Sequence, residues 1–170
     1  MAFQTDKITY QDAIKLGKDT ARVKIVEYYN LACPDALNYQ EQFAFFLDPL
    51  VQTGQVQRIL KHYNKTRPRL QKGNIVHDYI NYVEQENAYS MVDQYMRSQN
   101  DWAQLDLDKI EAYLVQQGLV KQDNNELAAR VFEEAQAVGV GAVPTIFVGD
   151  QAFVETVDPT LFKRAIMERI

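Results

Sequence analysis

The sequence predicts an α/β protein in which two mixed segments flank a helical block. Two observations support this fold class. A β-α-β pattern occupies residues 21–64 and an α-β-β-α pattern occupies residues 125–170, while the region between them has helical periodicity throughout. The 170 residues suit one domain that carries an insertion, and the 46% of hydrophobic residues is ample for its core.

The first segment begins with a compact apolar run at residues 21–30, which is rich in β-branched and aromatic residues. This run is too short for a typical helix and predicts a buried strand. A helix should follow from Pro34, which suits a first turn, to Gly54, which suits a stop, with a kink or break near Pro49. Residues 55–64 predict a second strand, and the helical crossover is long enough for parallel pairing.

The middle segment, residues 66–125, predicts helices and no strand. We expect it to be an inserted helical subdomain between two parts of an α/β core, residues 1–65 and 126–170. Tyrosine and methionine side chains recur in it at helical intervals, which is more typical of a core than of a ligand site, although such side chains could line an apolar groove. They include Tyr79, Tyr82, Tyr89, Met91, Tyr95 and Met96.

The last segment predicts a helix, a hairpin and a second helix. The first helix covers residues 125–139, with capping residues at its start and Gly139 at its end. Two short β-rich runs in residues 143–156 surround Gly149-Asp150 and indicate a hairpin. Asp158 and Pro159 then open the final helix.

Composition and charge exclude several classes of function. A net charge of -5 and a pI near 5.0 argue against a nucleic-acid partner, and the short basic run at residues 65–69 is interpreted as a solvated loop. No signal-peptide pattern or membrane-length apolar run is visible, so we expect a cytosolic protein without a membrane partner. His62 and His77 have no suitably spaced Cys or His beside them, so a metal site is not expected.

Cys33 is the only cysteine of the chain and lies where the first strand should turn into the first helix. A thiol at a helix start faces free backbone N–H groups, which favour the reactive thiolate, whereas the neighbouring Asp35 opposes a second negative charge. The alternative is that Cys33 is a small buried hydrophobic residue.

Three local features stand out: Cys33-Pro34 directly after the first strand, Val143-Pro144-Thr145 before the hairpin, and Glu27 six positions ahead of the cysteine. With these features the chain resembles the DsbA-like family of thioredoxin-fold thiol-disulfide oxidoreductases. The resemblance covers roughly residues 21–170 and implies a thioredoxin-like fold with a helical insertion.

The same resemblance implies roles for individual residues. Cys33 would be the nucleophile, and Pro144 would form a cis peptide bond packed against it. Glu27 would be either a proton-transfer acid, as in dithiol relatives, or a structural carboxylate that is paired or partly exposed. The remaining site residues would face the substrate, namely Pro34, Asp35, Ala36, Val143 and Thr145.

The sequence departs from the dithiol pattern at Ala36, which stands where those relatives carry a second cysteine. We therefore expect a cytosolic monothiol oxidoreductase acting on protein or peptide disulfides and thiols, without a bound cofactor. Glutathione, another low-molecular-weight thiol or a partner protein would resolve its mixed disulfides. The alternative is a redox-inactive thioredoxin-like protein that binds peptides as an adaptor, or a glutathione-using enzyme in which the thiol only holds the ligand.

Overall fold

A five-stranded mixed sheet organises the computed structural model, which describes residues 2–170. Its strands are β1 (Ile14–Leu16), β2 (Val23–Tyr29), β3 (Val56–His62), β4 (Thr145–Val148) and β5 (Gln151–Val154). Their order is β1-β3-β2-β4-β5, with β2 and β3 parallel and every other neighbouring pair antiparallel. The parallel pair and the β4-β5 hairpin confirm the sequence prediction. The prediction missed β1, because three residues are too few to show a strand period.

Seven α-helices surround the sheet within the described residues. They are α1 (Pro34–Gln52), α2 (Pro68–His77), α3 (Gln85–Arg97), α4 (Gln99–Trp102), α5 (Leu107–Gln116), α6 (Asn125–Val138) and α7 (Pro159–Met167). Residues 66–125 hold α2 to α5 and no strand, as their periodicity predicts. The break expected near Pro49 does not occur, because this proline lies in the last turn of α1, where the helix loses only one hydrogen bond.

The hydrophobic core has two parts. In one, the sheet packs against α1 and α7 through side chains such as Phe43, Leu47 and Phe162, all fully buried. In the other, the sheet packs against α6 and the inserted helices, with Trp102 as its largest buried side chain. Strand β2 is buried at every position except Lys24, which is half-buried, so the turn that follows it starts from the protein interior.

The tyrosines and methionines of the insertion belong to this second part of the core. Tyr79, Tyr95 and Met96 are buried in this cluster, and Tyr82, Tyr89 and Met91 pack against the cluster from half-buried positions. No helix within residues 2–170 is long and apolar enough to cross a membrane.

Candidate active site

Cys33 is the residue that caps the start of α1, directly after the turn that follows β2. Its backbone N–H donates to the Asn30 carbonyl at 3.0 Å, and Pro34 begins the helix, where a missing N–H removes no helical hydrogen bond. Only 6% of Cys33 is exposed. The predicted strand-to-helix position of the thiol is therefore confirmed, and the thiol lies just beneath the surface.

The segment before β4 meets Cys33 although it is 110 residues away in the chain. The Val143-Pro144 peptide bond is cis, and the Cys33 thiol donates to the Val143 carbonyl across 3.5 Å. Thr145 is buried and its hydroxyl donates to the Ala142 carbonyl at 2.7 Å, which ties the start of β4 to the loop before it. The fold thus brings together the two proline-containing motifs of the sequence.

Two opposing effects act on the Cys33 thiol. Burial raises its pKa, while the nearby backbone N–H groups of Ala36 and Asp35 lower it. The Asp35 carboxylate raises the pKa further and the Arg69 guanidinium lowers it, and the balance lies above the ordinary value. The helix start acts as expected, but burial outweighs it, so the thiol form is favoured in the resting protein.

The inserted helices hold the backbone of the turn in front of Cys33. His77 of α2 accepts from the Leu31 N–H at 3.2 Å, and the Arg69 Nε donates to the Ala32 carbonyl at 2.9 Å. Gln99 of α4 donates to the Leu31 carbonyl at 2.9 Å. Sequence reasoning missed this clamp, because its donors and acceptors are distant in the chain and follow no local motif.

Asn30 completes the clamp from within the turn. It is fully buried, its Oδ1 accepts from the Ala32 N–H at 3.0 Å, and its Nδ2 reaches the Tyr63 and Leu70 carbonyls at 3.2 and 3.1 Å. Gly73 on α2 lies so close that an added Cβ would stand 1.9 Å from the Asn30 Oδ1. Glycine is therefore required at this point of the helix for α2 to approach the turn.

A cavity of about 470 Å³ opens in front of Cys33. Its walls include Pro34, Asp35 and Val143, whereas Ala36 and Thr145, each 1% exposed, do not line it. Another wall is formed by Lys65, Thr66, Arg67 and Arg69, all from the run 65–69 that the sequence suggests is a solvated loop. Three of the five predicted substrate-facing residues thus reach the cavity, and a basic segment that was not predicted joins them.

Comparison with known proteins identifies the family of this fold. The sequence profile of the family described as Thioredoxin matches residues 9–168. The chain belongs to the thioredoxin family. A search among curated proteins gave no match.

Solved structures extend this result. A conserved protein of unknown function from Enterococcus faecalis is 31% identical, with a TM-score of 0.92 over 97% of this chain and 95% of that one. BdbD from Bacillus subtilis, in its oxidised form, is 14% identical, with a TM-score of 0.72 over 95% and 94%. A protein-disulfide isomerase from Novosphingobium aromaticivorans is 17% identical, with a TM-score of 0.74 over 93% and 97%. The two structures at 14% and 17% identity show only that the folds are similar. Together with the family match, they confirm the predicted thioredoxin-like fold of DsbA-like type.

The buried acid of this thioredoxin-family chain is fully paired. Glu27 is 0% exposed, and its two carboxylate oxygens accept from the Nε and Nη2 of Arg58 at 2.8 and 2.7 Å. Arg58 also donates to the Gln40 Oε1 at 2.9 Å. Of the interpretations given to Glu27, the geometry matches the paired structural carboxylate, because both oxygens are engaged by one guanidinium.

The two histidines form a neutral buried pair in the same thioredoxin-family scaffold, with ring centroids 5.1 Å apart. Since the His77 Nε2 accepts from Leu31, its proton is assigned to Nδ1, which donates to the Asn64 Oδ1 at 2.7 Å. Burial lowers the pKa of both, to about 3 for His62. Within residues 2–170 no group of three His, Cys, Asp or Glu is placed to hold a metal ion.

Proposed function

We propose that this protein is a monothiol thiol-disulfide oxidoreductase in which Cys33 attacks disulfides of protein or peptide substrates. The observation that carries the proposal is the placement of the Cys33 sulfur. It lies at the start of α1, 3.5 Å from the Val143 carbonyl next to Pro144, and it faces a cavity large enough for a substrate.

The exchange needs one thiol from the protein and one from outside. After Cys33 loses its proton to solvent, its sulfur bonds to one sulfur of the substrate disulfide, the old S–S bond breaks, and the other half leaves as a thiolate that takes up a proton. The methyl group of Ala36 cannot attack the resulting mixed disulfide. An external thiol, such as glutathione or a partner protein, attacks it instead and releases Cys33.

The surrounding residues would position the substrate in this proposal. Pro34, Asp35 and Val143 line the cavity and would contact the substrate directly. Pro144 and Thr145 are buried beneath that surface and would set the shape of the loop, while Ala36 would keep the helix start closely packed. Glu27 would stabilise the site through Arg58 and would transfer no proton.

The proposed compartment is the cytosol. A single cysteine makes no intramolecular disulfide, and a reducing environment would keep Cys33 free and supply the external thiol. Burial raises the pKa of the Cys33 thiol, so the rate of thiol-disulfide exchange should increase as the pH rises through and beyond the ordinary pKa range of thiols, roughly 8–9.

A second candidate function follows from the low exposure of the thiol. With 6% of Cys33 exposed and its pKa raised by burial, the cavity suits a redox-inactive protein that binds peptides as an adaptor, or an enzyme that uses Cys33 only to hold glutathione. In that case the loop that contains Val143 and Pro144 would bind the ligand together with the cavity, and no disulfide would be exchanged.

A turnover assay separates the two candidates. A glutathione-peptide mixed disulfide is mixed with excess glutathione, and its reduction is followed through NADPH oxidation by glutathione reductase. The wild type should accelerate the reaction, and Cys33→Ser should abolish the acceleration while its circular dichroism and unfolding midpoint stay unchanged. Equal rates for wild type and Cys33→Ser would refute the oxidoreductase and favour the binding protein.

A further inference from the structure

Three basic side chains line one wall of the Cys33 cavity in a chain whose net charge is -5. They are Lys65, Arg67 and Arg69. Within residues 2–170 none of them lies in an ion pair with a carboxylate. Unpaired cations on a concave wall raise the local concentration of anions, so this wall favours a negatively charged ligand.

Two of these cations are hydrogen-bonded to backbone carbonyls of the two segments that meet at the thiol. The Lys65 Nζ donates to the Gly141 carbonyl at 2.6 Å, in the loop that leads to Val143. The Arg69 Nε donates to the Ala32 carbonyl, next to Cys33. These bonds hold positive charge beside both segments that touch the cysteine sulfur.

Arg67 lies between these two residues in the chain and also lines the cavity. Its guanidinium makes no hydrogen bond to any other residue of the described chain, and the residue is exposed. It carries the guanidinium fork that binds a carboxylate through two parallel hydrogen bonds. Arg67 is therefore the side chain of this wall that is free to clamp a ligand carboxylate.

Carboxylates occupy another part of the cavity lining. Asp35 and Glu155 both line it, and neither is paired with a basic side chain in residues 2–170. The backbone N–H of Glu155 donates to the Pro144 carbonyl at 2.7 Å, which holds Glu155 beside the loop that contains Val143 and Pro144. Charges of both signs thus remain unpaired around one thiol, with the cations in the majority.

We propose that the cavity binds a low-molecular-weight thiol that carries carboxylates and an amino group, together with the disulfide of that thiol. The carboxylates would lie against Arg67 and its basic neighbours, and the ammonium would lie against Asp35 or Glu155. The inference rests on the proposed function, because it identifies the external thiol that resolves the Cys33 mixed disulfide. A volume of about 470 Å³ falls in the roughly 300–1,000 Å³ range of small-molecule sites.

The test compares disulfides that differ in charge. Native protein is mixed with oxidised glutathione, with its tetraethyl ester, in which all four carboxylates are neutralised, and with neutral hydroxyethyl disulfide. Adduct formation on Cys33 is timed by intact mass. Oxidised glutathione should react about tenfold faster than its ester at low ionic strength, and this advantage should shrink in high salt, because salt screens exposed charges.

Two variants test whether the basic side chains of the cavity cause this difference in rate between oxidised glutathione and its ester. Arg67→Gln should slow exchange with oxidised glutathione about threefold to tenfold and should not slow exchange with the ester, which offers Arg67 no carboxylate. Lys109→Gln on α5 removes the same charge outside the cavity and should leave both rates unchanged.

Three results would overturn the inference. Equal wild-type rates with oxidised glutathione and its ester would show that charge does not select the ligand. A much faster reaction with the mixed disulfide of an acidic peptide would make the ligand a peptide and not a small thiol. Absence of exchange with all three small disulfides would refute the proposed function, and this inference with it.

Discussion

Gly73→Ala is the substitution that most sharply tests how the inserted helices hold the cysteine turn. In a helix interior, Gly→Ala alone should stabilise the protein by about 1 kcal/mol. Here the new Cβ would lie 1.9 Å from the Asn30 Oδ1, 2.8 Å from its Cγ and 2.9 Å from the Ala32 nitrogen. Because Asn30 is fully buried, its side chain has no free space into which it can move.

The expected loss follows from the bonds of Asn30. Its amide protons and its carbonyl oxygen can satisfy three hydrogen bonds at once, each worth about 1 kcal/mol. Overpacking adds about 1–3 kcal/mol, and the gain in helix propensity offsets about 1 kcal/mol. We therefore expect the free energy of unfolding to fall by about 3–5 kcal/mol and Tm by roughly 6–20 °C.

Urea and thermal unfolding measure this loss, and the rate of Cys33 exchange reports whether the turn itself has moved. Gly141→Ala is the matched control, because an added Cβ there meets no atom within 4 Å and should change stability by less than about 1 kcal/mol. A Gly73→Ala variant as stable as the wild type would refute the close approach of α2 to the turn.

Three further predictions concern the buried charge, the histidines and the missing cysteine. Glu27→Gln should lower the free energy of unfolding, measured in urea, by about 3–5 kcal/mol, because Arg58 keeps a buried charge without its partner. Arg58→Gln should then destabilise the Glu27→Gln variant less than it destabilises the wild type. Since burial lowers the pKa of His62 to about 3, the unfolded chain binds its proton first as the pH falls below about 6.5. Stability should therefore drop between about pH 6.5 and about pH 3, less steeply in His62→Phe than in the wild type, and parallel curves would exclude His62 as a cause. Ala36→Cys should form a disulfide with Cys33 under mild oxidant and gain activity in insulin reduction, whereas a variant that folds with two free thiols would contradict a thioredoxin-type turn.

Local signals made much of the fold predictable from the sequence. The β2-α1-β3 unit, the helical block and the final hairpin each carry a period or a turn within a short stretch of chain. Cys33 could be singled out for the same reason, since it lies at a strand-to-helix boundary that the sequence marks, whereas Pro144 was singled out by the resemblance to the DsbA-like family. The structure then shows what no local pattern contains, which is that these two residues meet.

Contacts between distant residues set the limit of sequence reasoning. The pairing of Glu27 with Arg58 depends on the register of two parallel strands, which hydrophobic patterning alone does not fix. The clamp by His77 and Gln99 depends on how the inserted helices pack over the turn. The basic segment 65–69 was interpreted as a solvated loop because a charge run is usually solvated, and only tertiary structure places it at the Cys33 cavity.

The reactivity of Cys33 in the folded protein is the central claim, and intact mass spectrometry tests it most directly. Native protein incubated with hydroxyethyl disulfide, a small neutral probe that is independent of the charge of the cavity, should gain one adduct that excess thiol removes and that Cys33→Ser lacks. The account predicts this adduct under native conditions, at a rate that increases with pH because burial raises the pKa of the thiol. An adduct that forms only after unfolding in denaturant would contradict it.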